Sequence, residues 1–201
     1  MKQKDKQKII NNFKLPDSFL KQNCCAYQVI KHESGCAIIN GFYIDSTDMK
    51  DAFFLQYFTQ CLFIPFVTFS FNLGDRIGSY WTLNSLQRLQ SEIERFTVFD
   101  RLLSFEDFIR YATKHNYYGN KVAKYEDLAC SLFAIDKMYD AKTYLLKMMH
   151  IINKSNENWY DAEKERAQFL LQQIQTENRI SGIEKLLLWQ ETTINNLGII
   201  I

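Results

Sequence analysis

The chain has 201 residues and a formal net charge of +1, and 47% of its residues are hydrophobic. This supplies enough apolar material for a large core, which excludes a disordered chain. The balanced charge lacks the basic excess that nucleic-acid binding requires, so we expect no nucleic-acid partner. A short basic run at the N-terminus, between Lys2 and Lys8, is typical of a solvated helix.

The five cysteines form no Cys-x-x-Cys motif and are odd in number. They stand in apolar segments, which predicts buried free thiols and therefore a reducing compartment. The N-terminus lacks the apolar segment of a signal peptide, and no apolar stretch approaches the ~20 residues of a membrane helix. We therefore expect a cytoplasmic protein with no membrane partner.

Hydrophobic periodicity predicts β-strands in the first part of the chain and helices after it. The predicted elements up to Ile64 are a helix over 2–13, a short helix capped by Asp17 or Ser18 that runs through Gln22, and strands over 25–31, 36–44 and 53–64. Gly41 lies inside the second strand, where it predicts a bulge or a close backbone approach. Strands 25–31 and 36–44 are separated by turn residues, so we expect a hairpin.

The segment 66–73 has the clearest strand pattern, because its apolar residues alternate. Val67, Phe69, Phe71 and Leu73 form one set, which we expect to face the core. Gly74 and Asp75 are interpreted as the end of this strand. The sequence thus predicts an antiparallel sheet of about four strands over residues 25–73, packed against helices.

From residue 84 the apolar period becomes helical. The predicted helices span 84–96, a segment beginning at Ser104, a hairpin over 121–152 that breaks near Asp136, then 159–177 and 181–195. The apolar tail 197–201 must dock or pair, and a further edge strand is one way to do so. We interpret residues 1–201 as one α+β domain, with a β-rich core at 25–81 and a helical half at 84–195.

Catalytic motifs are missing from the sequence. It contains no phosphate-binding glycine loop, no nucleophile elbow and no metal-binding pair of histidines. Asp45, Asp48 and Asp51 are spaced by three and could bind a cation, but aspartates at turns are more often caps. We therefore expect a non-enzymatic protein without a cofactor, and the less favoured alternative is an enzyme with an unrecognised site near these aspartates or near Arg76.

Gly74 to Trp81 is the segment most typical of a working surface. Asp75 and Arg76 stand between two glycines, and Tyr80 and Trp81 follow. Tyr, Trp and Arg dominate the residues on which binding depends, so these four positions are our candidate partner-binding residues. The alternative is structural, with Asp75 capping a turn, Arg76 pairing with it, and the aromatics covering the core.

The helical hairpin from Tyr125 to Met149 resembles a single tetratricopeptide repeat. Its small residues Ala129 and Ala141 are spaced as close helix crossing requires, although Asp136 replaces the usual turn glycine. No second copy follows at the 34-residue period of that family. The resemblance implies either a packing hairpin or a groove for a peptide or helix.

A wider resemblance covers residues 25–150. The motif Gln60-x-Leu62-Phe63-Ile64-Pro65 followed by Leu73-Gly74-Asp75-Arg76-Ile77-Gly78 resembles a group of bacterial proteins of Bacteroidetes type, some encoded beside polymorphic-toxin or secretion loci. This resemblance implies an immunity-type protein that neutralises a cognate toxin. The leading expectation is therefore a protein whose partner is another protein, and the alternative is an adaptor that uses the helical hairpin.

Overall fold

The computed structural model describes residues 2–49, 51–96, 102–155 and 158–201. Its strands form one antiparallel sheet in which neighbours in sequence are also neighbours in space. They are β1 Leu20–Gln22, β2 Cys25–Lys31, β3 Ala37–Ser46, β4 Ala52–Cys61 and β5 Gly74–Thr82. The sheet packs with helices and is followed by an all-helical C-terminal half, which confirms the predicted α+β class.

The α-helices of the described residues follow the predicted periodicity closely. They are α1 Gln3–Asn11, α2 Leu86–Arg95, α3 Phe105–Lys114, α4 Lys121–Ala134, α5 Met138–Lys154, α6 Asp161–Gln175 and α7 Arg179–Leu197. Ser104 caps α3 as predicted, and its hydroxyl accepts a hydrogen bond from the Asp107 backbone N–H at 3.1 Å. Nowhere in the described ranges is a helix both long and apolar enough to cross a membrane.

The strand predicted over 66–73 is wrong, because this segment is a loop. Phe69 and Phe71 pack on one face of the sheet, against Tyr43 and Phe58, with ring centroids 5.1 to 6.1 Å apart. The alternating apolar residues therefore belong to a loop, and two of them, Phe69 and Phe71, cover one face of the sheet. Val67, which we expected in the core, is 80% exposed.

The fifth strand begins at Gly74, where the sequence predicted that the chain leaves the sheet. A Cβ atom at Gly74 would lie 2.2 Å from the carbonyl oxygen of Tyr57 on β4, so glycine permits close pairing here. Gly41 has the same role, since a Cβ there would lie 2.2 Å from the carbonyl oxygen of Ala26. The close approach predicted at Gly41 is confirmed, whereas the interpretation of Gly74 as a strand end is wrong.

The short helix predicted through Gln22 is also wrong. Residues 20–22 form β1, which pairs with β2 from Leu20 opposite Tyr27 to Gln22 opposite Cys25. Asn23 makes this two-residue turn possible with a φ of 54°. The polar residues around Asp17 and Ser18 precede this strand and do not begin a helix.

One continuous core joins the sheet to the helices. On one sheet face, Phe42 contacts Phe13 and Phe96 edge to face, with ring centroids 6.5 and 5.9 Å apart. Thr193 on α7 donates a hydrogen bond of 2.7 Å to the Ile64 carbonyl. All five cysteines are free and buried, as predicted.

The C-terminal tail docks on the sheet without becoming a strand. The Tyr27 hydroxyl donates to the Ile200 carbonyl at 2.9 Å and accepts from its N–H at 3.1 Å. Gln22 on β1 donates to the Gly198 carbonyl at 2.6 Å, and Ile199 is buried. The tail thus lies beside β1 and β2, leaving β5 as the opposite edge strand.

Candidate functional site

Asp75 and Arg76 do not pair with each other, because consecutive residues of a strand point to opposite faces. The Asp75 carboxylate lies 3.8 Å from His115 Nε2, beside the end of α3. The Arg76 guanidinium lies 3.7 Å from the centre of the Phe54 ring, a cation–π contact. Both side chains are held at the sheet surface, but they do not form a joint ligand site.

Tyr80 and Trp81 also differ in environment, since one is exposed and the other is buried. Trp81 is 5% exposed, and its indole N–H donates to the Ile77 carbonyl at 2.6 Å. Tyr80 is 53% exposed and lies where β5 bulges away from β4, between the pairs Leu55–Ile77 and Phe53–Trp81. Of the four candidate residues, Asp75, Arg76 and Tyr80 remain accessible, while Trp81 covers the core.

The aspartates near the β3–β4 turn do not converge. Asp45 accepts a hydrogen bond of 2.8 Å from the Ser46 N–H, and Asp51 occupies a turn position with a φ of 63°. In the part of the chain that the structure describes, no group of three His, Cys, Asp or Glu side chains is arranged to hold a metal. Asp45 lies near the end of β3, opposite Phe54 on β4, and only Asp51 has the geometry of a turn residue.

A different region brings charged side chains together. An open cavity of 320 Å³ lies between the loop after β4, helix α4 and the beginning of α6. We call it the α4–α6 pocket. Its charged lining residues are Glu126 and Asp127 on α4 and Glu163 and Arg166 on α6.

Arg166 holds α6 against α4 through a buried ion pair. Its Nε and Nη2 atoms donate to the two carboxylate oxygens of Glu126 at 2.6 and 3.1 Å. Glu163 lies 3.5 Å from the same guanidinium. Burial raises the pKa of Glu126, although Arg166 opposes this by stabilising the charged form. The single guanidinium is therefore already bound by carboxylates in a fork geometry.

Asp127 is the unusual group of the pocket. It is 8% exposed, and it makes no ion pair with any residue in the described ranges. Burial raises the pKa of Asp127 from 3.8 to about 7, and the negative charge of Glu126 adds to this. The Tyr117 hydroxyl and the Cys61 thiol lie close enough to lower its pKa partly. Strongly perturbed carboxyl groups in cavities are typical of functional sites.

The two helices that line the pocket are the first helices of successive hairpins. The α4–α5 turn has a φ of 64° at Asp136, and the α6–α7 turn has 55° at Glu177. After each turn residue a backbone N–H closes back onto the preceding helix, from Lys137 to Leu132 at 2.8 Å and from Asn178 to Gln173 at 2.9 Å. These are the bonds of a Schellman cap. A second hairpin thus follows the first at a spacing other than 34 residues.

Gly182 is the position at which α7 packs closely on α4. A Cβ atom there would lie 2.2 Å from Phe133 Cζ, so α7 packs its glycine against an α4 ring. Ala141 is the buried small residue in the first turns of α5, and Gly182 is its counterpart in α7. Glu163, which stands 34 residues after Ala129, is not a small residue and lines the pocket.

Sequence analysis did not predict the pocket residues. Glu126 and Asp127 are adjacent acids at the start of a run of buried residues that extends to Ala134 in α4. This adjacency is a usable signal, because acidic residues are almost never fully buried unless paired. Arg166 stands 40 positions from its partner, so the pairing itself required the fold.

Comparisons of the chain with protein-family models, with curated proteins and with solved structures give no match. The functional conclusion therefore depends on the residues of this chain.

Proposed function

We propose that this protein acts by binding another protein at the α4–α6 pocket and not by catalysis. The observation that carries the proposal is an open polar cavity beside exposed apolar side chains. Val67, which lines the cavity, is 80% exposed, and Trp159, which precedes the lining residue Tyr160, is 81% exposed. Exposed aromatic and aliphatic side chains around a desolvated polar centre are typical of protein-binding surfaces.

The partner we propose is a toxin that this chain neutralises as an immunity-type protein. The resemblance of residues 25–150 to such proteins supports this choice. The free, buried cysteines support a reducing compartment, and we place the function in the cytoplasm. An adaptor that holds a peptide or helix through the α4–α5 hairpin is the second candidate, and it would use the same pocket, since α4 lines it.

A pair of arginine substitutions on α6 tests the proposal. Ala162 is exposed and lines the pocket, so Ala162→Arg fills it with bulk and charge. Gln168 is exposed on the same helix outside the lining residues, so Gln168→Arg is the matched control. Each variant is co-expressed with the product of the adjacent gene, and growth and co-purification are measured.

We expect the wild type and Gln168→Arg to protect the cells and retain the partner. Ala162→Arg should lose at least tenfold in affinity, equivalent to about 1.4 kcal/mol. Unchanged binding by Ala162→Arg would contradict the pocket as the binding site. A neighbouring product that is harmless alone, or that does not bind, would contradict the immunity role.

A further inference from the structure

We infer that the α4–α6 pocket receives a basic side chain of the partner, an arginine or a lysine, as the counter-ion of the Asp127 carboxylate. This inference rests on the proposed function, because it names the chemical group by which the partner is anchored.

The pocket has more acid than base. Three residues with carboxyl groups, Glu126, Asp127 and Glu163, line it together with one guanidinium, that of Arg166. Arg166 already makes a bidentate ion pair with Glu126, with donor–acceptor distances of 2.6 and 3.1 Å. This leaves Asp127 without a cation of its own. A pocket of this charge attracts cationic groups and repels phosphates and carboxylates.

A cation that pairs with the ionised Asp127 carboxylate would come from outside the described residues. Carboxyl groups this deeply buried are normally paired, because desolvation of an unpaired charge costs several kcal/mol. The surrounding ionisable groups are Cys61 on β4, Tyr117 before α4, Glu126 and Cys130 on α4, and Glu163 and Arg166 on α6. Burial and the charge of Asp127 raise the pKa of Cys61 and of Tyr117, so both stay neutral near pH 7.

Within the described ranges, the Tyr117 hydroxyl, like the Asp127 carboxyl, lacks an interaction partner that a bound ligand could supply. Its hydroxyl is fully buried and makes no hydrogen bond of good geometry with the described residues. The hydroxyl lies beside Asp127, so it can donate to the carboxylate once that group is ionised. A cation bound at Asp127 would favour the ionised carboxylate. The carboxylate would then have a counter-ion, and the Tyr117 hydroxyl would have a hydrogen-bond acceptor.

The size and the walls of the pocket fit a side chain. Its 320 Å³ is near the lower end of the range of about 300–1,000 Å³ for ligand cavities. Phe66 and Tyr160 contribute half-buried aromatic rings to the lining. Aromatic faces attract guanidinium and ammonium groups, so these rings can hold the cation that Asp127 neutralises.

The test uses defined probes on the full chain and measures binding by NMR shift changes. The probes are the Nα-acetyl methylamides of arginine and lysine, with that of citrulline as the uncharged isostere of arginine. We expect arginine or lysine to bind with a dissociation constant on the order of 1 mM, and citrulline to bind at least tenfold more weakly. The tighter of the two cations identifies the anchoring side chain.

Asp127→Asn should lower the affinity for the cationic probe at least tenfold. Asp48→Asn changes an exposed turn residue and should leave that affinity unchanged. Equal binding of citrulline and arginine to the wild type, or no saturable binding of either cation, would overturn the inference. Retained arginine affinity in folded Asp127→Asn would do the same. If the partner still depends on residue 162, only the anchor is disproved and the proposed function stands.

Discussion

Asp127→Asn should stabilise the fold above neutral pH. The ionised carboxylate is buried without a counter-ion, and asparagine has nearly the same shape without the charge. The amide oxygen, like the ionised carboxylate, can accept a hydrogen bond from the Tyr117 hydroxyl beside it. Functional groups are often retained although they lower stability. If Asp127 belongs to a binding site, we therefore expect its neutralisation to increase the stability of the fold.

The magnitude follows from the pKa of Asp127, which burial raises from 3.8 to about 7. Below pH 3.8 the carboxyl is protonated in both the folded and unfolded states, so its ionisation costs no stability. As the pH rises toward 7, the unfolded chain releases this proton first, and the free energy of unfolding falls by about 1.4 kcal/mol per pH unit. The full loss is about 4 kcal/mol above pH 7, of which roughly 2.5 kcal/mol accrues between pH 5 and pH 8.

Urea denaturation of the wild type and of Asp127→Asn at pH 5 and pH 8 measures this difference. The stability of the variant relative to the wild type should increase by about 2–3 kcal/mol between the two pH values. The comparison isolates Asp127, since both proteins share every other titrating group. Asp48→Asn, which changes an exposed aspartate, should show no such trend. A difference independent of pH would refute the argument that Asp127 is an uncompensated buried charge.

Three further changes test the helical packing and the cysteines. Arg166→Ala leaves Glu126 buried and unpaired, so it should lower the free energy of unfolding by about 3–5 kcal/mol in urea titrations. A loss below about 1 kcal/mol would contradict a stabilising role for the ion pair. Gly182→Ala should cost about 1–3 kcal/mol, because its Cβ would lie 2.2 Å from Phe133 Cζ, and a smaller cost in a Phe133→Leu background would show that this contact is the cause. Iodoacetamide should alkylate Cys24 before Cys36, as peptide mass spectrometry can show. Hydrogen bonding from Cys25 lowers the pKa of the Cys24 thiol, whereas burial raises the pKa of the Cys36 thiol. Equal rates at these two sites would contradict that order.

Local sequence patterns were sufficient where neighbouring residues determine the structure. The helical period, the cap at Ser104 and the hairpin joining residues 25–31 and 36–44 all depend on contacts within a few residues. The segment 66–73 shows the limit of such patterns. Its alternation is that of a strand, yet Phe69 and Phe71 cover the sheet face through contacts with distant residues.

The pocket could not be predicted for a related reason. Glu126 and Arg166 are 40 positions apart, and Phe133 and Gly182 are also distant in sequence, so both contacts form only when the helices pack. None of these contacts has a short-range signature. The candidate surface at Asp75 to Trp81 was chosen from residue types alone, and strand geometry then sends Asp75 and Arg76 to opposite faces.

The most direct test of the binding pocket is a ¹³C NMR titration of the Asp127 carboxyl, without a probe and with saturating Nα-acetyl-arginine methylamide. In the free protein its pKa should be about 7. A cation that prefers the ionised carboxylate by tenfold or more should lower that pKa by at least about one unit, because binding and deprotonation are linked. A pKa near 3.8 in the free protein, or one that the arginine probe leaves unchanged, would contradict a cation-binding site at Asp127.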